Sequence, residues 1–195
     1  MTEVEQLKNM EKKKILKYCP SNGDELSLIL EDDNVYLGSI DVSKVANMSH
    51  LFSGSTRKDF SGIEDWDVSN VKNMSYMFTG AKSFNQDISS WDVSNVKDVE
   101  RMFFGAKSFN QDLSKWNVSN VKYMLGMFSG AKSFNQDLNK WDVSNVETII
   151  GAFKNTPLEN NPPSWYINLR NKLWKNLKYY RNRKGLLLII DLYTL

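Results

Sequence analysis

The sequence predicts an α/β solenoid of about five 25-residue strand–helix units, closed by helical caps at its ends. Two observations carry that prediction. Trp66, Trp91, Trp116 and Trp141 recur at intervals of 25 residues, each opening a copy of WDVSNV or WNVSNV. The octet GAKSFNQD recurs unchanged at 80–87, 105–112 and 130–137. A fixed period of this size marks an architecture in which each unit buries its apolar face only against its neighbours.

Residues 1–38 read as an N-terminal helical cap and first strand. Thr2 and Glu5 have capping-box spacing, and Val4, Leu7, Ile15 and Leu16 fall on one side of a helix over 2–18. Pro20 and Gly23 break it. Residues 24–31 suit a second short helix through Leu26, Ile29 and Leu30, although the branched run LSLIL also suits a hairpin strand. Val35, Tyr36 and Leu37 read as the first strand.

Residues 39–165 are the expected solenoid. Its first copy is degenerate. Asp41–Val45 matches DVSNV, Met48, Leu51 and Phe52 match the later Met/Met/Phe set, and the interval to the next copy is 26 residues. The segment before Phe60 is two residues longer than its counterpart, which predicts a loop at the rim. Three regular copies fill 66–140. A fifth begins at Trp141, keeps Val146, Ala152 and Phe153, and passes through Pro157, Leu158, Pro162 and Pro163 to Trp165. Prolines cannot donate to a ladder, so this copy is expected to end the sheet. Residues 166–195 form a basic C-terminal helix and tail. Tyr166, Leu169, Leu173, Leu177 and Tyr180 make an apolar stripe over 164–184, with Ser164 placed to cap it. GLLLIIDLYTL reads either as a last strand or as an unsupported end.

Within a copy, Val71, Met74, Met77 and Phe78 suggest one face of a short helix, with Ser69 or Asn70 at its start and Gly80 at its end. Phe84, Ile88 and Trp91 suit a short strand entering a bend. Stacking at the strand spacing of about 4.8 Å predicts buried ladders. These are Trp66/Trp91/Trp116/Trp141, Phe78/Phe103/Phe128/Phe153 and Phe84/Phe109/Phe134, with Ala81, Ala106 and Ala131 where the helix crowds the sheet. A buried aromatic covers roughly 150–250 Å², enough for such ladders to hold the units together despite few leucines.

The pattern W-D-V-S-N-V-x-x-M-x-x-M-F-x-G-A-x-x-F-N-Q-D-[IL]-S resembles the repeat of the BspA-like bacterial surface proteins, first catalogued as a mycoplasma family of unknown function. The resemblance covers about residues 35–165. It implies a leucine-rich-repeat-like solenoid, a bacterial origin and, commonly, a place on the cell surface in adhesion or host contact. The chain departs from that pattern in having few repeats, no export signal or lipobox, and a basic tail of its own.

Net charge is +2, unevenly placed: −3 over residues 1–40, zero over 41–155 and +5 over 156–195. One cysteine, Cys19, excludes an intrachain disulfide, and with a single histidine, His50, no Cys–His pair or multi-His zinc site is expected. The opening MTEVEQLKNMEKKK has no apolar run behind its basic cluster, so it does not read as a secretory signal. The run Leu186–Ile190 is far too short for a membrane span. Localisation is therefore open, with a surface or secreted place implied by the resemblance alone.

The candidate binding residues are a polar grid: Gln86, Asp87, Gln111, Asp112, Gln136 and Asp137, with Lys82, Lys107 and Lys132. The competing reading has Asn85, Asn110 and Asn135 turned inward onto loop backbone and the rest solubilising the sheet. Identical repetition suits avidity for a repetitive partner. The stacked aspartates approach the carboxylate spacing of a retaining glycosidase, about 5 Å, but repeat geometry alone accounts for that, and neither catalysis nor a metal is expected. The stretch 170–184, with Trp174, Tyr179 and Tyr180, reads first as a capping helix with a solvated basic face and second as a nucleic-acid or anionic-membrane contact. The expected function is non-catalytic recognition of a protein or glycan by a cofactor-free monomer. An intracellular or effector-like scaffold is the alternative, nucleic acid is not the expected partner, and a hydrolase is disfavoured for want of a nucleophile motif.

Overall fold

Consecutive tight turns build each regular copy, because its apolar residues return at nearly every third position. The computed structural model describes residues 17–184, with side chains through residue 175. In the second copy Val68, Val71, Met74, Met77, Phe78, Ala81, Phe84, Ile88 and then Trp91 are all buried. Local bonds span three residues: Val71 N–H donates to Val68 (2.9 Å), Met77 to Met74 (3.2 Å), Ala81 to Phe78 (3.0 Å) and Phe84 to Ala81 (3.1 Å). Short polar side chains close the corners. Asp67 accepts from the Ser69 N–H at 3.1 Å, Asn73 from Ser75 at 2.8 Å and Asp87 from Ser89 at 2.9 Å. An Asx side chain bonded to the backbone two residues on mimics a turn.

The remaining backbone donors cross between copies. Met74, Tyr76, Phe78 and Gly80 donate to the carbonyls of Asp98, Glu100, Met102 and Phe104 at 2.7–2.9 Å, and equivalent residues repeat this from copy to copy. Parallel bridges link Asn47, Asn73, Asp98, Tyr123 and Thr148 in one column. Sending alternate N–H groups the same way requires left-handed backbone at two positions per copy. Gly54, Gly80, Gly105 and Gly130 supply one, with φ of 67–74°; there glycine carries no Cβ penalty. His50, Tyr76 and Arg101 hold the other with φ of 63°, 59° and 50°, despite their side chains.

The predicted α/β leucine-rich-repeat-like solenoid of strand–helix units is therefore incorrect. The described residues contain no strand longer than a single bridge position and only two α-helices, α1 (Gly23–Leu30) and α2 (Ser164–Lys184), both outside the repeats. A helix over 71–78 does not form because its alternate N–H groups are given to the next copy and cannot bond four residues back. Asn70, expected at that helix start, instead donates to the Ser43 carbonyl of the preceding copy at 2.7 Å. The strands expected at 35–37 and 83–91 do not form: the first runs into a 3-10 turn at Leu37–Ser39, and in the second residues 84–88 carry no regular structure between turns at 82–83 and 89–90. The helix expected over 2–18 lies almost wholly outside the described residues, and the last strand or unsupported end expected from Gly185 onward lies entirely outside them.

Inside the stack, rings repeat in register. Phe52, Phe78, Phe103, Phe128 and Phe153 lie 5.5–5.7 Å apart between successive centroids, within 8° of parallel. Phe84, Phe109 and Phe134 follow at 5.6 and 5.8 Å. Phe78 also stacks on Phe84 within its own copy at 3.8 Å. Trp66, Trp91, Trp116 and Trp141 are each 4% exposed. Each indole N–H donates to a backbone carbonyl of the layer before it: Leu37, Ile63, Ile88 and Leu113, at 2.9–3.1 Å. The irregular first copy breaks this order. Phe60 meets Phe52 and Phe84 edge-on, at 70° and 79°.

The two helices lie at the two ends of the stack. At the first, Asn22 accepts from the Glu25 N–H at 3.0 Å and caps α1, which buries Leu26 and Leu30. Buried Arg57 sits in the longer segment of the first copy. Its Nε donates to the Asp59 carbonyl at 3.1 Å and its Nη2 to the Val35 carbonyl, tying the N-terminal segment to the repeats. At the second end Trp165 stacks on Trp141 (6.3 Å, 14°) and donates to the Leu138 carbonyl at 2.7 Å. Tyr166 closes on Phe153 edge-on at 5.1 Å.

Candidate binding faces

The predicted polar grid lies in one corner of the stack, and most of its bonds run between copies. Asn85 accepts from the Asn110 N–H, and Asn110 from the Asn135 N–H, both at 2.9 Å. Half-buried Gln111 donates to the Asn85 carbonyl at 2.8 Å and Gln136 to the Asn110 carbonyl at 2.9 Å. Gln86, whose predecessor copy lacks that asparagine, reaches Glu64 Oε2 at 3.1 Å. Exposed Asp87, Asp112 and Asp137 each turn back to accept the N–H of Ser89, Ser114 or Asn139 at 2.8–2.9 Å. Those backbone N–H groups, helped by the same residues' side chains, hold all three carboxyls below the usual aspartate range. Lys82, Lys107 and Lys132 are exposed. The amides and carboxylates of this corner thus already have partners within the chain.

A second face lies where the copies stop agreeing. Across the three regular copies, four neighbouring positions differ in every copy. Asn73, Ser75, Tyr76 and Thr79 become Asp98, Glu100, Arg101 and Phe104, then Tyr123, Leu125, Gly126 and Ser129. His50 stacks on Tyr76 at 4.6 Å and 8°. The Arg101 guanidinium lies 5.6 Å from the Tyr76 ring and 5.8 Å from the Phe104 ring, and its Nη1 donates to the Tyr76 hydroxyl at 3.2 Å. That hydroxyl donates to Glu100 at 2.7 Å, a bond to a carboxylate that raises the phenol's pKa. Burial raises the Asp98 carboxyl beside it. Phe104 and Tyr123 are 42% and 40% exposed. Beyond Arg101 the column continues as Gly126 and Gly151, and no atom lies within 4 Å of where a Gly151 side chain would begin. The result is a cationic and aromatic ridge in which the Arg101 side chain covers Gly126 and the surface opens only at Gly151.

The sequence alone marks none of these residues as a site, and His50 stands out there only as the single histidine. The available signal is that these four positions differ in all three regular copies. The sequence likewise does not mark Trp165 as part of the tryptophan column, because its interval from Trp141 is 24 residues and prolines intervene.

Exposed Cys19 is a free thiol. Among the described residues no group of three or more His, Cys, Asp or Glu is placed to hold a metal, and no helix is long and apolar enough to cross a membrane. Trp174 on α2 is exposed. Neither a curated protein nor a solved structure matches the chain. The family described as "Mycoplasma protein of unknown function, DUF285" matches residues 24–122 and 46–166, spans that take in every repeat, and the chain belongs to that family.

Proposed function

We propose that the chain is a non-catalytic module that recognises a protein partner through the face formed by residues 73–79 and their equivalents. One observation carries this reading: the positions at which all three regular copies differ fall in this one segment, and they include exposed Phe104 and Tyr123. A purely structural surface has no need of His50, Tyr76, Arg101, Phe104 and Tyr123 side by side. Tyrosine and arginine are the residue types that anchor protein interfaces, because they combine apolar area with directed hydrogen bonds. The scaffold suits the task, since inter-copy backbone bonds fix the ridge before any partner arrives. The resemblance to BspA-like proteins adds adhesion or host contact at a bacterial surface as the setting.

The test is a capture experiment with three forms of the full chain. These are the wild type, a face variant (Arg101→Ala, Phe104→Ser, Tyr123→Ser) and a grid variant (Gln86→Ala, Gln111→Ala, Gln136→Ala). The face variant is expected to melt near the wild-type temperature and to lose at least tenfold in affinity for the captured protein. Capture that survives the face changes and disappears with the grid changes would overturn the proposal.

A further inference from the structure

A second surface differs from the ridge in chemistry and position. Lys58, Lys82, Lys107 and Lys132 each stand two residues before a buried phenylalanine, Phe60, Phe84, Phe109 and Phe134. All four lysines are exposed. The first copy keeps its lysine although the segment around it is two residues longer, and Lys58 Nζ bonds Ser83 Oγ of the next copy at 3.0 Å. The column thus carries one cation per layer, and the layers repeat at the 5.6–5.8 Å separation of the neighbouring Phe84, Phe109 and Phe134 rings.

None of the four lies within ion-pair distance of a carboxylate among the described residues. The adjacent aspartates do not serve them: the cations whose charge acts on Asp87, Asp112 and Asp137 are Lys115 and Lys140. By contrast, exposed Lys122 on another column pairs with Glu147 at 3.0 Å. Like charges facing one another on neighbouring strands repel, so a column of unpaired lysines at layer spacing lacks a counter-charge of the same periodicity. Exposed Ser108 and Ser133 beside it offer hydroxyls at the same interval.

We propose that this column binds a linear anionic polysaccharide laid along the stack axis, with an acidic group meeting each lysine and sugar hydroxyls meeting the serines. Nucleic acid fits less well. Single-strand sites pair a cationic groove with exposed aromatic platforms on which bases stack. Here the aromatics beside the column are buried, and exposed Phe104 and Tyr123 belong to the variable segment. Several weak contacts on a rigid, regular array act together through effective concentration.

The experiment measures binding of the full chain to a labelled heparin fragment and to single-stranded poly(dT) over a range of salt concentrations. A column variant (Lys58→Gln, Lys82→Gln, Lys107→Gln, Lys132→Gln) is compared with a charge-matched control (Lys44→Gln, Lys115→Gln, Lys140→Gln, Lys175→Gln). Each polyanion charge neutralised contributes a slope of roughly 0.7–0.9 in log K against log salt. The column variant is therefore expected to lose about 3 from the slope for heparin and at least tenfold in affinity at low salt, with little change in the control. If the quadruple variant does not fold, the double variant Lys82→Gln/Lys132→Gln should show about half that loss of slope. No heparin binding by the wild type, or equal losses in column and control, would overturn the proposal. So would poly(dT) binding as tight as heparin with the same lysine dependence, which would make the column a nucleic-acid site.

Discussion

The corner at residues 85–87 and the segment at 73–79 belong to the same copies and face solvent in different ways. At the corner the sequence repeats without change, and amide after amide is bonded to the copy before it. At the segment the backbone is just as regular, yet the side chains change from copy to copy. Exposed polar residues that repeat unchanged can therefore be inter-layer fasteners, and exposed residues that differ on a fixed backbone are the ones free to be selected for a partner. Repetition of bonded side chains marks what the stack needs, whereas departures from it, and repeated side chains left without an ion pair among the described residues, such as Lys82, Lys107 and Lys132, mark what a partner could read.

Removing a fastener from the interior should break the stack most severely. Trp116 is 4% exposed, and its indole donates to the Ile88 carbonyl at 3.1 Å. Trp116→Ala should cost about 3–5 kcal/mol, from lost burial and an unfilled cavity. Because each copy contacts mainly its neighbours, the loss should divide unfolding into two transitions. Denaturant titration followed by circular dichroism and by the remaining tryptophan fluorescence measures this. A single transition shifted by less than 1 kcal/mol would show that the tryptophan column does not couple the copies.

A smaller effect separates the two regions directly. Gln111→Ala removes the bond to the Asn85 carbonyl and should cost about 0.5–1.5 kcal/mol, the usual net worth of one hydrogen bond. Tyr123→Ser, on the variable segment and 40% exposed, should stay within about 0.5 kcal/mol of wild type. Paired urea melts check the ranking. If Tyr123→Ser is the more destabilising of the two, the division between fastening corner and free face is wrong.

The period was legible in the sequence, and the secondary structure inside it was not. Val71, Met74, Met77 and Phe78 satisfy a helical face, but the wider series from Val68 keeps returning at intervals of three. A helix would drift off such a series within a few turns, because its period is 3.6. Corner chemistry was also present in Asp67-Val68-Ser69 and Asp87-Ile88-Ser89, each an Asx residue two positions before a serine whose N–H it accepts. What no local pattern reveals is that alternate N–H groups leave for the next copy. That is a property of the stack, and it decides against both helix and strand. The bonding within the candidate grid is hidden for a related reason: Gln86, Gln111 and Gln136 look like free surface amides until a neighbouring layer supplies acceptors.

The subtlest difference between fastener and free group is electrostatic. The Asx corners use carboxylates, and in the folded state Asp87, Asp112 and Asp137 sit below their ordinary pKa because backbone N–H groups bond them. A depressed folded pKa contributes stability that is present above the unfolded value, about 3.9, and is lost as pH falls through the folded one. Asp98 on the variable segment has the opposite sign: burial raises its pKa, so protonation favours the folded state as pH falls. The corner carboxylates outnumber it, and stability should decline on the acid side. Asn117 already stands at one corner in place of aspartate, accepting the Ser119 N–H at 3.2 Å, which shows that an amide closes the same turn without a charge. Replacing Asp87, Asp112 and Asp137 with Asn should therefore leave the melting temperature near wild type at neutral pH and flatten its decline below about pH 4. An acid limb as steep in the triple variant as in the wild type would mean that these corners do not carry the pH dependence.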